Sequence, residues 1–307
     1  MSEQVMIAGT GPAGLTAALY LARGNRNPLV INGNLPGGQL TTTTLVENYP
    51  GFAEGVMGPD LMDTMRRQAE RFGARFRPGL VTGVDFTSRP FTVTVGGDTL
   101  ECLAFIVATG ASPRYLGLES EKALIGKGVS TCATCDGAFY RGKRVIVVGG
   151  GDSAVEEATF LTKFAERVVL VHRRDTLRAS DIMQKRVFEN KKIEIIWDTV
   201  PVEIHDAAKG EVTGVTLRNT KTGDTREMEI DGVFLAIGHT PNTAFLKGAL
   251  DVDQEGYIAC GKDGCQTAVE GVFACGDVMD ARYRQVATSV GTGCRAAIDC
   301  DRFLAEH

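Results

Sequence analysis

Two cysteines, Cys132 and Cys135, are separated only by Ala133 and Thr134, with Asp136 and Gly137 directly behind them. A C-x-x-C pair can close a small disulfide ring and lower the pKa of one of its thiols. Thiol–disulfide exchange needs both: an attacking thiolate and a second thiol that resolves the mixed disulfide. The other use of such a pair is zinc, which takes four protein ligands in a structural site. The candidate second pair, Cys260 and Cys265, has four residues between its members and lies far along the chain, so no metal site is expected. Asp136 has two readings. A carboxyl beside a thiolate can act as general acid toward a leaving thiol or a reduced cofactor. It could equally cap a helix or make an Asp-Gly turn.

The remaining cysteines read as packing residues: Cys102 and Cys275 in apolar strand-like runs, Cys294 and Cys300 on a C-terminal helix. Disulfide scaffolds belong to small secreted domains, and a chain of 307 residues with eight cysteines is not one. That length is comfortable for two domains. Glycine is abundant at 37 residues, which predicts many tight turns and close backbone approaches to ligands. The net charge of −5 comes without a basic block, so nucleic acid is not an expected partner. No apolar run is long enough to span a membrane, and no targeting pattern precedes the first strand, so a cytoplasmic protein is expected.

Two elements must position nucleotides near the cysteines. The first is Gly9-Thr10-Gly11-Pro12-Ala13-Gly14, which follows the apolar run from Val5 to Ala8 and leads into Leu15, Ala18, Leu19 and Ala22 at helical spacing. Strand, G-x-G-x-x-G and helix together make a dinucleotide fingerprint. Gly9 makes the turn, Gly11 lets a pyrophosphate approach the backbone, and Gly14 packs helix on strand. The acidic residue expected on the ribose is replaced by Asn32, which can hydrogen-bond but carries no charge. The second is Gly149-Gly150-Gly151-Asp152-Ser153-Ala154, after the strand Val145-Ile146-Val147-Val148, with Ala154, Ala158, Leu161 and Ala165 predicted on one helix face. Its next strand, from Val168 to Val171, runs into His172-Arg173-Arg174, with Arg178 one turn later. NAD sites place a carboxylate there for the 2′-hydroxyl, whereas NADP sites need positive charge for the 2′-phosphate. Arginines without an acid at the strand tip favour NADPH over NAD and over a plain solvated turn. Two dinucleotide sites in one chain suggest a flavin partnered with a nicotinamide.

These residues resemble low-molecular-weight thioredoxin reductase over nearly the whole chain. Further marks are Gly37-Gly38-Gln39-Leu40-Thr41-Thr42-Thr43-Thr44, Glu47-Asn48-Tyr49-Pro50-Gly51, Ala108-Thr109-Gly110, Gly238-His239-Thr240-Pro241-Asn242, and Gly276-Asp277 followed by Tyr283-Arg284-Gln285. The resemblance implies an α/β fold of two Rossmann-like domains. An FAD-binding domain split between 1–112 and 243–307 would hold an inserted NADPH-binding domain, 113–242, that carries the cysteine pair. It implies FAD contacts from Gly9, Gly11, Gly14, Asn32, Gly33, Gly38, Gln39, Leu40, Asn48, Thr109, Gly110, Gly276, Asp277, Arg284, Gln285 and Val286, with Asp277 accepting from the ribityl chain. It implies NADPH contacts from Gly149, Gly151, Asp152, Ser153, Ala154, His172, Arg173, Arg174 and Arg178. Catalysis would fall to Cys132, Cys135 and Asp136, the electron acceptor would be thioredoxin, and the protein would be a homodimer. Asn32, Cys275 and Ala138 depart from the family pattern. Ala138 stands where the family often carries the first of two aromatic residues facing the protein partner, and Phe139 keeps the second.

The competing readings each lack a part. The flavoprotein of alkyl hydroperoxide reductase needs a further N-terminal domain. A dithiol oxidase of this fold would not need the arginines. A flavoenzyme of the ferredoxin–NADP reductase kind lacks the cysteine pair, and a non-enzymatic redox sensor would have no need of it. The cysteine pair and the second glycine loop fall in one domain while the flavin falls in the other, so the inserted domain is expected to swing between two orientations. The hinges would lie near 112–120 and 238–242, both of which contain Pro and Gly.

Overall fold

The computed structural model describes residues 2–261 and 264–307. The chain divides into two compact units, Met1–Ser112 with Thr240–His307, and Pro113–His239. The return to the first unit falls between His239 and Thr240 rather than after 242. Asn242 already belongs to the first unit, where its side chain accepts from Ser112 Oγ at 3.0 Å and donates to the Thr109 carbonyl at 2.9 Å.

The first unit opens with β1 (Glu3–Ala8), whose Val5, Met6, Ile7 and Ala8 are all buried. A parallel strand covered on both faces reads as an unbroken apolar run rather than an alternation. Helix α1 (Pro12–Arg23) has Pro12 at its first position, where a missing N–H costs nothing. Then come β2 (Leu29–Ile31), α2 (Gly58–Arg71) and β3 (Arg75–Arg77), and the meander β4 (Val81–Asp85), β5 (Phe91–Val95) and β6 (Asp98–Val107). Strand β6 has two roles along its length: one part pairs antiparallel with β5, and the end pairs parallel with β1.

The second unit contains β7 (Val129–Ser130), α3 (Ala133–Asp136), β8 (Arg144–Gly149), α4 (Asp152–Leu161), β9 (Arg167–Val171), α5 (Asp181–Glu189) and β10 (Ile193–Ile196). It continues through β11 (Thr199–Ile204), β12 (Gly214–Asn219) and β13 (Thr225–Glu229) to β14 (Gly232–Ala236). The parallel sheet runs β7-β14-β8-β9-β10, and β11-β12-β13 form a separate antiparallel sheet. Helix α4 is shorter than its apolar spacing predicts. It ends at Leu161, and Ala165 reaches the core from the following turn, its N–H bonded to the Leu161 carbonyl at 2.8 Å.

The chain then returns to the first unit with β15 (Val272–Ala274), parallel to β6, and α6 (Val286–Glu306). The sheet order becomes β3-β2-β1-β6-β5-β4, with β15 also on β6. Helices α1 and α6 touch closely at Gly293, where any Cβ would overlap the Ala13 carbonyl. Each unit therefore has a parallel sheet of its own, and open α/β sheets bind ligands outside the carboxyl ends of their strands.

Candidate active site

In the second unit, Cys132 and Cys135 are joined in a disulfide. Cys132 is the residue before α3, and its carbonyl accepts from the N–H groups of Cys135 and Asp136 at 3.2 and 3.1 Å. Its own N–H donates to Ser130 Oγ at 3.1 Å, which ties the pair to the end of β7. Cys135 is exposed and Cys132 half-buried. Asp136 makes no capping hydrogen bond to the following turn, so the cap reading fails. Burial raises its pKa above the usual aspartate value, against a hydrogen bond from Ser130. Burial, helped by the charges of Asp136 and Asp231, lifts the neighbouring Tyr140 to about 12, so its ring serves packing, edge-on to Phe234 at 5.1 Å. Ala138 and Phe139 are exposed next to the pair.

The second glycine loop joins β8 to α4 in the same unit. A Cβ at Gly149 would overlap the Ala236 carbonyl, whereas one at Gly151 would meet nothing within 4 Å. Gly149 is needed for packing. Gly151 leaves space at a helix N-terminus, where an anion is favoured. Ala154 is buried and closes the loop onto the sheet. Ser153 is exposed in the first turn of α4. Asp152 accepts from Ser180 N and Oγ at 2.8 and 2.9 Å, so it anchors the arginine loop. Arg173, Arg174 and Arg178 are exposed. Among the described residues no carboxylate pairs with them: Asp175 and Asp198, the acids nearby, both bind Lys221 at 3.0 Å. His172 faces inward, its ring nitrogens each 2.9 Å from a backbone carbonyl oxygen.

The first unit gathers its candidate residues at the carboxyl ends of β1, β2, β6 and β15. A Cβ at Gly9, whose φ is +112°, would overlap the Ala108 carbonyl, and one at Gly14 would overlap the Gly9 carbonyl. At Gly11 a Cβ would meet nothing, so its space is left for a ligand. Thr10 Oγ1 donates to the Asn32 carbonyl at 3.0 Å and accepts from Gly37 N at 3.0 Å, drawing 37–42 over the loop. Gly38 lies against Gly11, and Gln39 and Leu40 follow in the same turn. Asn32 Oδ1 is buried with no partner. Gly33 bonds Gly79 at 2.9 Å. Thr109 is tied to Asn242 through both its hydroxyl and its carbonyl, and Gly110 follows at φ +68°. Asn48 Nδ2 donates to Gln285 Oε1 at 3.3 Å.

Gly276 N donates to Thr292 Oγ1 at 2.9 Å, and Asp277 accepts from Ser289 Oγ at 3.0 Å. Arg284 takes φ +47° and bonds the Ala281 carbonyl. Gln285 caps α6 in a reciprocal box with Thr288, and Val286 begins the helix against the Leu15, Leu61 and Met62 cluster. Burial lifts Asp277 to about 6, against the Ser289 hydrogen bond and the Arg284 charge. A buried carboxylate with one donor and a buried amide oxygen with none are both short of donors, which is what a ligand rich in hydroxyls supplies. Sequence reasoning missed Thr10, Ser289, Thr292 and Ser180. The only signal was that Thr10 lies inside the fingerprint.

A family model described as pyridine nucleotide-disulphide oxidoreductase matches residues 3–293. A thioredoxin reductase of Streptomyces clavuligerus is 54% identical over 305 residues, covering 99% of this chain and 94% of that protein. The chain belongs to the pyridine nucleotide-disulphide oxidoreductase family, among its thioredoxin reductases. The solved thioredoxin reductase of Streptococcus pyogenes is 41% identical, with 99% and 98% of the two chains covered and a TM-score of 0.93. That of Lactococcus lactis, described as the FR conformation, is 40% identical over both full chains with a TM-score of 0.67. Membership of this family agrees with the disulfide and with the two glycine loops. Among the described residues no group of three or more His, Cys, Asp or Glu could hold a metal, and no helix is long and apolar enough to cross a membrane.

Proposed function

We propose that this chain reduces the disulfide of thioredoxin with electrons from NADPH, using FAD held in the first unit. The observation that carries the NADPH reading is the trio Arg173, Arg174 and Arg178, without carboxylate partners among the described residues while Lys221 holds the nearby Asp175 and Asp198. For FAD the support is the open space at Gly11, the unpartnered Oδ1 of Asn32 and the under-donated Asp277. Gly9, Gly11 and Gly14 would admit the pyrophosphate, Asn32 the ribose, and Asp277 a ribityl hydroxyl. Bound there, FAD supplies a two-electron relay between a nicotinamide and a disulfide.

The chain's own groups do the rest. Two electrons and two protons convert the Cys132–Cys135 disulfide to a dithiol, and Asp136, next in the chain after the pair, would act as the general acid. One thiolate then attacks a sulfur of oxidised thioredoxin and expels the other as a thiol. The second cysteine attacks the mixed disulfide, which releases reduced thioredoxin and restores the pair. Phe139 offers an exposed aromatic surface to that partner.

The second unit swings relative to the first between the two half-reactions. Two solved relatives of nearly equal identity match the chain with TM-scores of 0.93 and 0.67, as different arrangements of two units would produce. Six free cysteines suit a reducing, cytoplasmic setting. The homodimer rests on the family resemblance. The test is steady-state oxidation of NADPH by the purified yellow protein with and without oxidised thioredoxin. The reading requires thioredoxin-dependent turnover and a large preference for NADPH over NADH. A protein that cannot be loaded with FAD, or that consumes NADPH without reducing thioredoxin, would refute it.

A further inference from the structure

We propose that His172 is a positioning residue, not a nucleotide ligand: its ring clamps the arginine loop to the glycine loop and thereby sets the preference for NADPH over NADH. This rests on the reading of Arg173, Arg174 and Arg178 as the 2′-phosphate site. The ring is buried, with 5% of the residue exposed. Nδ1 lies 2.9 Å from the carbonyl oxygen of Gly149, at the start of the glycine loop. Nε2 lies 2.9 Å from the carbonyl oxygen of Thr176, between Arg174 and Arg178. One imidazole thus bridges both loops and has no nitrogen left for a ligand.

Three neighbours complete the clamp. Gly150 has no Cβ because the ring fills that space. Arg178 N donates to the Gly150 carbonyl at 2.7 Å. Trp197 packs edge-on to the imidazole with centroids 6.2 Å apart. Burial, with the charges of Arg178 and Arg174, holds the His172 pKa below the usual imidazole value. The hydrogen bonds to the Gly149 and Thr176 carbonyls act the other way, since both oxygens only accept: the ring donates to one of them when neutral and to both when protonated, and packs against both in either state.

The reason for such a clamp lies in the arginines themselves. Their side chains are exposed and, among the described residues, carry no carboxylate partner, so the backbone fixes where the guanidinium groups start from. A loose loop must be ordered each time a 2′-phosphate binds, and that cost lowers affinity. NADH has no 2′-phosphate and does not need the loop ordered.

The experiment uses the full-length flavoprotein with oxidised thioredoxin and compares His172→Ala, Gly150→Ala and the double variant. Gly150 is not at positive φ, so alanine is conformationally allowed there. His172→Ala should raise KM for NADPH about tenfold or more, with kcat and KM for NADH changed less than about twofold. Gly150→Ala, which evicts the ring, should do the same. In the double variant the added methyl has room, so its KM for NADPH should equal that of His172→Ala alone. Parallel rises in KM for both nucleotides would overturn the proposal by making the ring a general prop. A further rise in the double variant would overturn it by showing that the nucleotide itself needs Gly150. If His172→Ala does not fold, Gly150→Ala decides by the same comparison of nucleotides. Unmodified protein indifferent to the 2′-phosphate would remove the site reading and the clamp together.

Discussion

Replacing Asp277 by Asn should stabilise the flavin-free protein while weakening its hold on FAD. The carboxyl is buried beside Ser289 and titrates at about 6 instead of the usual 3.8. Below pH 4 it is protonated in both folded and unfolded chains, and its contribution to stability is fully present. Between pH 4 and 6 the unfolded chain loses the proton first, so stability falls as pH rises. Above 6 the loss is complete. At 1.36 kcal/mol per pKa unit it amounts to roughly 3 kcal/mol. The amide of the variant would carry no charge to bury and could still accept from Ser289. In urea unfolding of flavin-stripped protein, Asp277→Asn should therefore be more stable than wild type at pH 7.5 by up to roughly 3 kcal/mol, with the gap closing near pH 4. In the same variant FAD should bind about 10- to 100-fold more weakly, because a hydrogen bond to a charged acceptor contributes roughly 1.5–3 kcal/mol. A stability difference that does not change with pH, or FAD affinity that is unaltered, would refute the argument.

Losing Arg173 and Arg174 together should raise the Kd for NADPH by roughly two to four orders of magnitude and barely change that for NADH, as nucleotide titrations would show. Cys132→Ser or Cys135→Ser should keep bleaching of the flavin by NADPH in stopped flow and abolish thioredoxin turnover. Cys102→Ser should leave turnover nearly unchanged, since burial lifts the Cys102 thiol to about 12 and removes it from thiolate chemistry. The same holds for Cys294→Ser, because Cys294 lies on α6 in the other unit. Tethering the two units by an engineered disulfide should keep FAD and stop multiple turnover until the tether is reduced. Full turnover in a completely locked protein would rule out the swing.

Much of the site was legible because steric demands write themselves into residue type. Gly9 and Gly14 must be glycine to let backbone meet backbone, and that need sits within six consecutive letters. The strands before both loops were equally plain, since burial on two faces leaves only apolar residues. What escaped was the hydrogen bonding between segments distant in sequence. Ser180 reaches back 28 residues to Asp152, and Ser289 reaches 12 to Asp277. Serine is common enough that neither position stands out in a string of letters. The basic motif at 172–174 reads as three equivalent ligands. Only the fold separates His172, turned inward on two carbonyls, from the arginines that face solvent. Apolar spacing likewise overstated α4, because Ala165 is buried without being helical.

The route of the chain through the first unit also bears on how the protein is made. Strand β15 joins β6, and helix α6 covers α1, only after the whole of Pro113–His239 has been threaded between them. During synthesis the inserted unit is continuous and can collapse as soon as it emerges, whereas its host must wait with one flank of its sheet unpaired. The waiting strand β6 is buried and apolar through Phe105, Ile106 and Val107, the kind of edge that invites wrong pairing. A nascent chain that has emerged only as far as Thr240 would therefore carry a finished second unit on an unfinished first one, and limited proteolysis of such chains should cut the first unit and spare the second.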